Sequence, residues 1–192
     1  RLSFVIHEDL SIQRLRFADA LIEEAVEPEA EDEAARSDAE FAIMSLQLRE
    51  LIARLQDGLA FTDARFHSLV VPVVRRYAAF VHLLPASEAH HHPELGGLLR
   101  HGLETMPESL KLRRNRLLPP GAPAEAIAQH EDLWTYAVTT CALLHDVGKP
   151  ITDLVVTYVL PTEGRPQTWQ PLTTPLSAGA HYQFRFNQQR RT

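Results

Sequence analysis

Cysteine is almost absent from this chain: Cys141 is the single one in 192 residues. An intrachain disulfide is therefore excluded, and with it the oxidised scaffold of small secreted domains. No apolar run approaches the roughly 18 residues a bilayer span requires, and the N-terminus lacks the charged-then-apolar layout of a signal peptide. The expectation is a cytoplasmic protein with no membrane insertion. Acids are missing after Glu163, where neither Asp nor Glu occurs again. What is present suffices for one substantial core, with 45% hydrophobic residues. The chain opens on Arg1 without a methionine and stops within the charged RFNQQRRT, so it reads as a piece of a longer protein.

The net charge of −6 is unevenly spread. Residues 23–40 carry nine acids against one base, Arg36, a local charge of −8 that leaves the rest of the chain at +2. Bases cluster at Arg75 and Arg76, at Lys111, Arg113, Arg114 and Arg116, and at Arg185, Arg190 and Arg191. Each cluster is either solvated surface or a phosphate-facing patch.

Hydrophobic periodicity predicts mostly helices. Residues 11–26 form a short amphipathic one, followed by the acidic, low-complexity EPEAEDEAARSD, a linker or exposed loop. Asp38 caps a helix through FAIMSLQLRELIARLQ that Gly58 stops, and Thr62 or Asp63 opens the next, which Pro72 bends or truly begins. Pro93 suits the first turn of a helix through ELGGLLRHGLETM, and the breaker-rich segment from Pro107 to Pro123 is a loop. Beyond Ala124, Trp134, Val138, Cys141 and His145 form an inward-facing stripe; Gly148 then takes the left-handed closing position and Pro150 blocks continuation. DLVVTYVL, QTWQPL and HYQFRFN read as a small antiparallel sheet. The fold class is mainly α with a β appendage at the C-terminus. The expected organisation is an N-terminal helix and acidic linker over 1–40, a helical core over 41–152, and a β-rich extension over 153–192.

Chemistry concentrates in HHHPELGGLLRH at 90–101 and LLHDVGKP at 143–150. Imidazole and carboxylate together suit divalent Mn, Fe, Mg or Zn, ions that activate water or neutralise a phosphoryl oxygen. Neighbouring side chains on an extended segment point different ways, so at most two of His90, His91 and His92 meet one ion. His91 and His92 lie nearest the helix that carries His101. Elsewhere, His7, His67, His82 and His130 read as structural or surface histidines, and His181 as a cross-strand residue or a ligand of a second ion. Trp134 reads as core, and Trp169, flanked by Thr168 and Gln170, as a residue able to stack on a base.

A His-Asp pair at the end of an apolar helix, with Gly-Lys directly after it and a histidine on an earlier helix, resembles the HD metal-dependent phosphohydrolase superfamily. That resemblance implies a helical fold in which His101, His145 and Asp146 hold a divalent metal, with His91 and His92 as further ligands. It also implies another aspartate from a downstream helix. Asp153 is the only acid between Asp146 and Glu163, so either that ligand lies beyond Thr192 or the site lacks it. Lys149, with Asp146, is placed in the catalytic set: its ammonium can neutralise a phosphate oxygen, although a lysine near a helix end also profits from the dipole. Arg100 joins Lys149 as substrate-binding.

The longer pattern VHLLPASEAHHHPELGGLLRHGLE with ALLHDVGKP is similar to conjugative relaxases of the MobH type, the TraI-like proteins of integrative conjugative elements. The likeness covers about residues 77–155 and, more loosely, the WQP and HYQFRF segments. It implies an endonuclease that nicks single-stranded DNA at a transfer origin, working with a coupling protein and relaxosome components. The nucleophile stays open between Tyr77, Tyr136, Tyr158, Tyr182 and metal-bound hydroxide. Two other readings stand beside the relaxase: an HD phosphohydrolase of nucleotides or small phosphate esters, and a non-catalytic DNA-binding or docking module.

Overall fold

A computed structural model of the chain describes residues 47–81, 83–159, 164–173 and 181–187. The helix expected over 11–26, the acidic stretch, the Asp38 cap, His7 and His82 lie outside the described residues. The architecture is mainly α with a small antiparallel sheet near the C-terminus, as the sequence predicts. The chain divides into a helical unit, Glu27–Tyr77 with Arg100–Asp146, and a sheet-bearing unit, Arg1–Val26 with Ala78–Leu99 and Val147–Thr192.

In the helical unit, α1 (47–59) buries Leu48, Leu55 and Leu59 at helical spacing. Gly58 lies inside this helix and does not stop it; the chain leaves the helix at Ala60, which has φ 55°. Gly58 serves close packing instead. A Cβ there would come within 3.2 Å of Leu110 Cδ2, and its carbonyl accepts from Arg114 at 2.5 Å. Thr62 then caps α2 (Asp63–Arg65) through its hydroxyl oxygen, which accepts the Arg65 N–H at 3.3 Å. One π-turn, Phe66–Val70, precedes α3 (Val71–Val81). Pro72 lacks an N–H, so the wider turn just ahead of it takes up the mismatch, and the proline marks where the regular helix starts.

The helix α4 (Gly97–Arg114) differs from its sequence reading at both ends. Pro93 stays ahead of it in the connecting segment, and Pro107 sits inside it rather than opening a loop. An interior proline costs about 3 kcal/mol. Leu103, Met106 and Leu110 are all buried around it, and each such side chain contributes roughly 1.5–3 kcal/mol. Burial therefore outweighs the lost hydrogen bond.

After α5 (Ala124–Gln129), the helix α6 (Glu131–Leu144) buries Thr135, Thr139 and Leu143. The expected stripe is displaced by one position: Trp134 and Val138 are half-buried, and Cys141 and His145 are exposed. Threonine is tolerated inside because its hydroxyl bonds back to its own helix. Thr139 Oγ1 donates toward Thr135 O at 2.8 Å and Tyr136 O at 3.1 Å.

In the sheet-bearing unit, Gly148 is right-handed (φ −74°, ψ −21°) and not left-handed as expected. Pro150 stands in the first turn of α7 (Lys149–Thr152), where its missing N–H had no helical partner anyway, so it opens a helix rather than blocking one. The three strands β1 (Leu154–Val159), β2 (Pro166–Thr168) and β3 (His181–Phe186) form an antiparallel sheet in the order β2-β1-β3. Leu154, Val156 and Tyr158 alternate along β1 as its buried face, and Tyr158 stands opposite Tyr182. Pro166, which cannot donate a ladder hydrogen bond, sits on the outer strand opposite Val159. Tyr182 Oη accepts the Leu83 N–H at 3.3 Å, tying the sheet to the segment before α4.

Candidate metal centre

His101, Gly102 and Thr105 occupy one side of α4, and all three serve the approach to the end of α6. Gly102 is buried, and a Cβ there would stand 2.9 Å from Tyr77 Cε1 and 3.1 Å from Leu143 O, closer than side chains tolerate. Glycine thus lets the α4 backbone come against the last turn of α6. The adjacent His101 ring meets the His145 ring there, with centroids 5.0 Å apart at 63°.

The donor atoms form a near-regular triangle. His101 Nε2 lies 3.2 Å from His145 Nε2 and 3.5 Å from Asp146 Oδ2, and His145 Nε2 lies 3.4 Å from the same oxygen. Two ligands bound tetrahedrally at about 2.0–2.1 Å are about 3.3–3.4 Å apart, and neighbouring octahedral ligands about 3 Å. The observed edges therefore fit one face of a coordination shell. Among the described residues, this is the group of His, Cys, Asp or Glu able to hold an ion.

The tautomer of His145 is also suited. Its Nδ1 lies 2.7 Å from Ala142 O. A carbonyl can only accept, so Nδ1 carries the proton and the neutral ring keeps its Nε2 lone pair for an ion. Ala142 O is available because the last carbonyls of a helix have no intrahelical donor. A further observation fits an ion with attached water: Tyr77 Oη is buried and has no hydrogen-bond partner among the described residues. Burial foremost, and then the negative charge of Asp146, push the Tyr77 phenol well above the ordinary tyrosine range.

The other predicted site residues are held differently. Arg100 Nε donates to Glu104 Oε1 at 2.8 Å, and its Nη1 reaches Gln47 at 3.5 Å. His90, His91 and His92 belong to the sheet-bearing unit, in a loop closed by its own bonds. Ala86 N donates to His92 O at 2.9 Å, and Ser87 Oγ donates to His91 O at 2.8 Å. His92 adopts a left-handed φ of 54°, with Nδ1 3.4 Å from Glu94. Gly97 is required behind it, because a Cβ there would fall 2.1 Å from His92 O. Lys149 Nζ donates to Ala86 O at 2.8 Å, so this ammonium also braces the triple-histidine loop. Asp153 accepts from Thr152 at 2.7 Å and is not in the triad.

Of the four tyrosines, Tyr77, Tyr158 and Tyr182 are buried and Tyr136 is half-buried. Trp169 is 4% exposed, with its ring 6.2 Å from that of Phe80, and so belongs to the core rather than to a base-stacking surface. Reasoning from sequence missed Gly102 and Thr105, and weighed Tyr77 only as one of four possible nucleophiles. The one available signal was a glycine directly after the candidate histidine.

Fold and site together define a mainly helical chain that joins two imidazoles and a carboxylate from separate helices. The chain belongs to the TraI_2 family, described as "Putative helicase", which matches residues 34–192. Residues 1–61 match a second family, described as "Putative exonuclease, RdgC". Among curated proteins, this chain is similar to the Recombination-associated protein RdgC of Halorhodospira halophila, with 47% identity over 57 residues, 30% of this chain and 19% of the relative. The same protein of Aeromonas hydrophila subsp. hydrophila is 46% identical over 54 residues, 28% of this chain and 18% of the relative. That of Xanthomonas campestris pv. campestris is 38% identical over 63 residues, 33% of this chain and 21% of the relative. The chain thus spans about a fifth of the length of the curated relatives it matches. No solved structure matches it.

Proposed function

We propose that this chain is a metal-dependent DNA-processing domain that cleaves a phosphodiester in one strand at a conjugative transfer origin. The observation that carries the reading is the triangle of His101 Nε2, His145 Nε2 and Asp146 Oδ2, with edges of 3.2–3.5 Å. Membership of the TraI_2 family supports nucleic acid as the substrate. No GxxxxGK[ST] phosphate loop occurs in the sequence, so the proposal rests on the His/Asp centre. His101, His145 and Asp146 would hold a divalent ion of the Mn, Fe, Mg or Zn type. When bound, such an ion acts as a Lewis acid on a phosphoryl oxygen and lowers the pKa of water.

The protein's own groups orient and neutralise. Ala142 O fixes the His145 ring, and Arg100, held by Glu104, is the candidate cation for a phosphate oxygen. Lys149 supplies a second cation, with one of its N–H groups on Ala86 O. His91 and His92 stand as further candidate ligands on the strength of the sequence pattern alone. A buried tyrosine held protonated is a poor attacking group, which favours water or Tyr136 as nucleophile over Tyr77. Coupling protein and relaxosome components are the partners this activity requires.

Elemental analysis of untagged protein, paired with a nicking assay on supercoiled plasmid carrying a transfer origin, tests the proposal. Wild type should hold a stoichiometric divalent ion and convert supercoiled DNA to the open circle. His145→Ala and Asp146→Ala should lose both properties while keeping wild-type helical content. Full metal occupancy in both variants would place the ion elsewhere, and turnover of free nucleotides without nicking would favour a phosphohydrolase.

A further inference from the structure

We infer that Thr105 is the positioning residue of the metal centre, an inference that rests on the reading of His101, His145 and Asp146 as metal ligands. Its hydroxyl lies 2.7 Å from Gly102 O on its own helix and 3.1 Å from Ala142 O on α6. Ala142 O is the same oxygen that accepts from His145 Nδ1 at 2.7 Å. One carbonyl at the end of α6 therefore accepts from the ligand ring and shares, with Gly102 O, the single hydroxyl hydrogen of the helix carrying the other ligand.

The hydroxyl has one hydrogen and two carbonyl acceptors, so it joins the turn that follows His101 to the turn that precedes His145. No other side chain among the hydrogen bonds of the described residues links α4 to that carbonyl. The consequence is geometric. Gly102 permits the helices to approach, but a glycine directs nothing; the Thr105 hydroxyl sets where α4 stops relative to Ala142. That placement decides the 3.2 Å separation of the two Nε2 atoms. Partners of this kind, one shell out from a ligand, typically change metal affinity by about 10–100-fold when removed.

The test uses the full chain with Zn²⁺ and Mn²⁺ as probes, competed against a chelator, together with ¹⁵N spectra of the His145 ring in metal-free protein. Thr105→Val keeps the shape and removes the hydroxyl. It should weaken both ions about tenfold or more and shift the His145 Nδ1 signal, as Ala142 O loses the second donor it shares with that ring. Thr105→Ser should restore the affinity and the wild-type Nδ1 signal, which a purely packing role for the methyl group would not allow. Should the valine variant fold poorly, Thr105→Ala compared with Thr105→Ser decides the same question. Wild-type affinity and an unchanged ring spectrum in the valine or alanine variant would overturn the inference. Wild-type protein that binds neither ion would instead overturn the metal-centre reading, and the ring spectra would still report whether Thr105 holds His145.

Discussion

Tyr77 is the residue whose environment asks most of the fold. Its hydroxyl is buried and has no partner among the described residues, and its ionisation is opposed by burial and by Asp146. The folded pKa is therefore raised, so above about pH 10 the unfolded chain releases the phenolic proton and the folded one does not. Fewer protons are then bound in the unfolded state, and stability falls as pH rises, by about 1.4 kcal/mol per pH unit for this group. Tyr77→Phe should abolish that component in urea titrations between neutral and alkaline pH. In metal-free protein the same variant should gain about 1 kcal/mol at neutral pH, because it removes a buried polar atom that has no bond to lose. A loss of stability would mean that the hydroxyl has a partner in solution. His101, His145 and Asp146 were legible at this scale as motif residues, since histidine beside aspartate announces coordinating chemistry wherever it stands. Gly102 and Thr105 were not, because neither residue type is distinctive until a neighbouring helix is known.

At the scale of elements, two glycines separate local from tertiary demands. Gly58 and Gly102 both lie within helices, where alanine is preferred by roughly 0.5–1 kcal/mol. At Gly58 the nearest atom to an added Cβ is the end of the Leu110 side chain, 3.2 Å away, which can shift. At Gly102 one of the opposing atoms is the Leu143 backbone carbonyl, which cannot. Gly58→Ala is accordingly expected to leave stability unchanged or raise it by up to about 1 kcal/mol. Gly102→Ala should cost about 1–3 kcal/mol and weaken metal binding by prising His101 from His145. Thermal unfolding and metal titration of the two variants read these opposite signs, and equal effects would deny that Gly102 sets the helix contact. Among the described residues the sequence reading found the longer helices and the strands, but it missed α7 and misplaced ends governed by proline and glycine. Pro107 and Gly58 carry breaker propensities that buried neighbours override, and the Thr135–Thr139 stripe hides its inward face behind a polar residue type.

For the molecule as a whole, the proposed function makes charge the factor that would decide how DNA is met. The chain carries −6 overall, yet −8 resides in residues 23–40. Binding of single-stranded origin DNA should therefore rest on the basic remainder and weaken steeply with salt, with a log–log slope of about −0.7 per phosphate contacted. Fluorescence anisotropy across a salt series measures it. A flat salt dependence would argue for a substrate that is not a polyanion. No helix among the described residues is long and apolar enough to cross a membrane. The match of residues 1–61 to the RdgC family was invisible to periodicity and composition, which saw only two helices and an acidic stretch there.

Local pattern alone determined that this chain forms amphipathic helices, ends in a small antiparallel sheet and bears imidazoles beside a carboxylate, because each of those properties is encoded within a few consecutive residues. Whether the imidazoles meet is a different kind of question. His101 and His145 stand 44 positions apart, and their 3.2 Å separation depends on a missing side chain at Gly102 and the bond from Thr105 to Ala142 O. Only packing between helices decides such a distance, since backbone approach is limited by the bulk of whatever faces it across the contact.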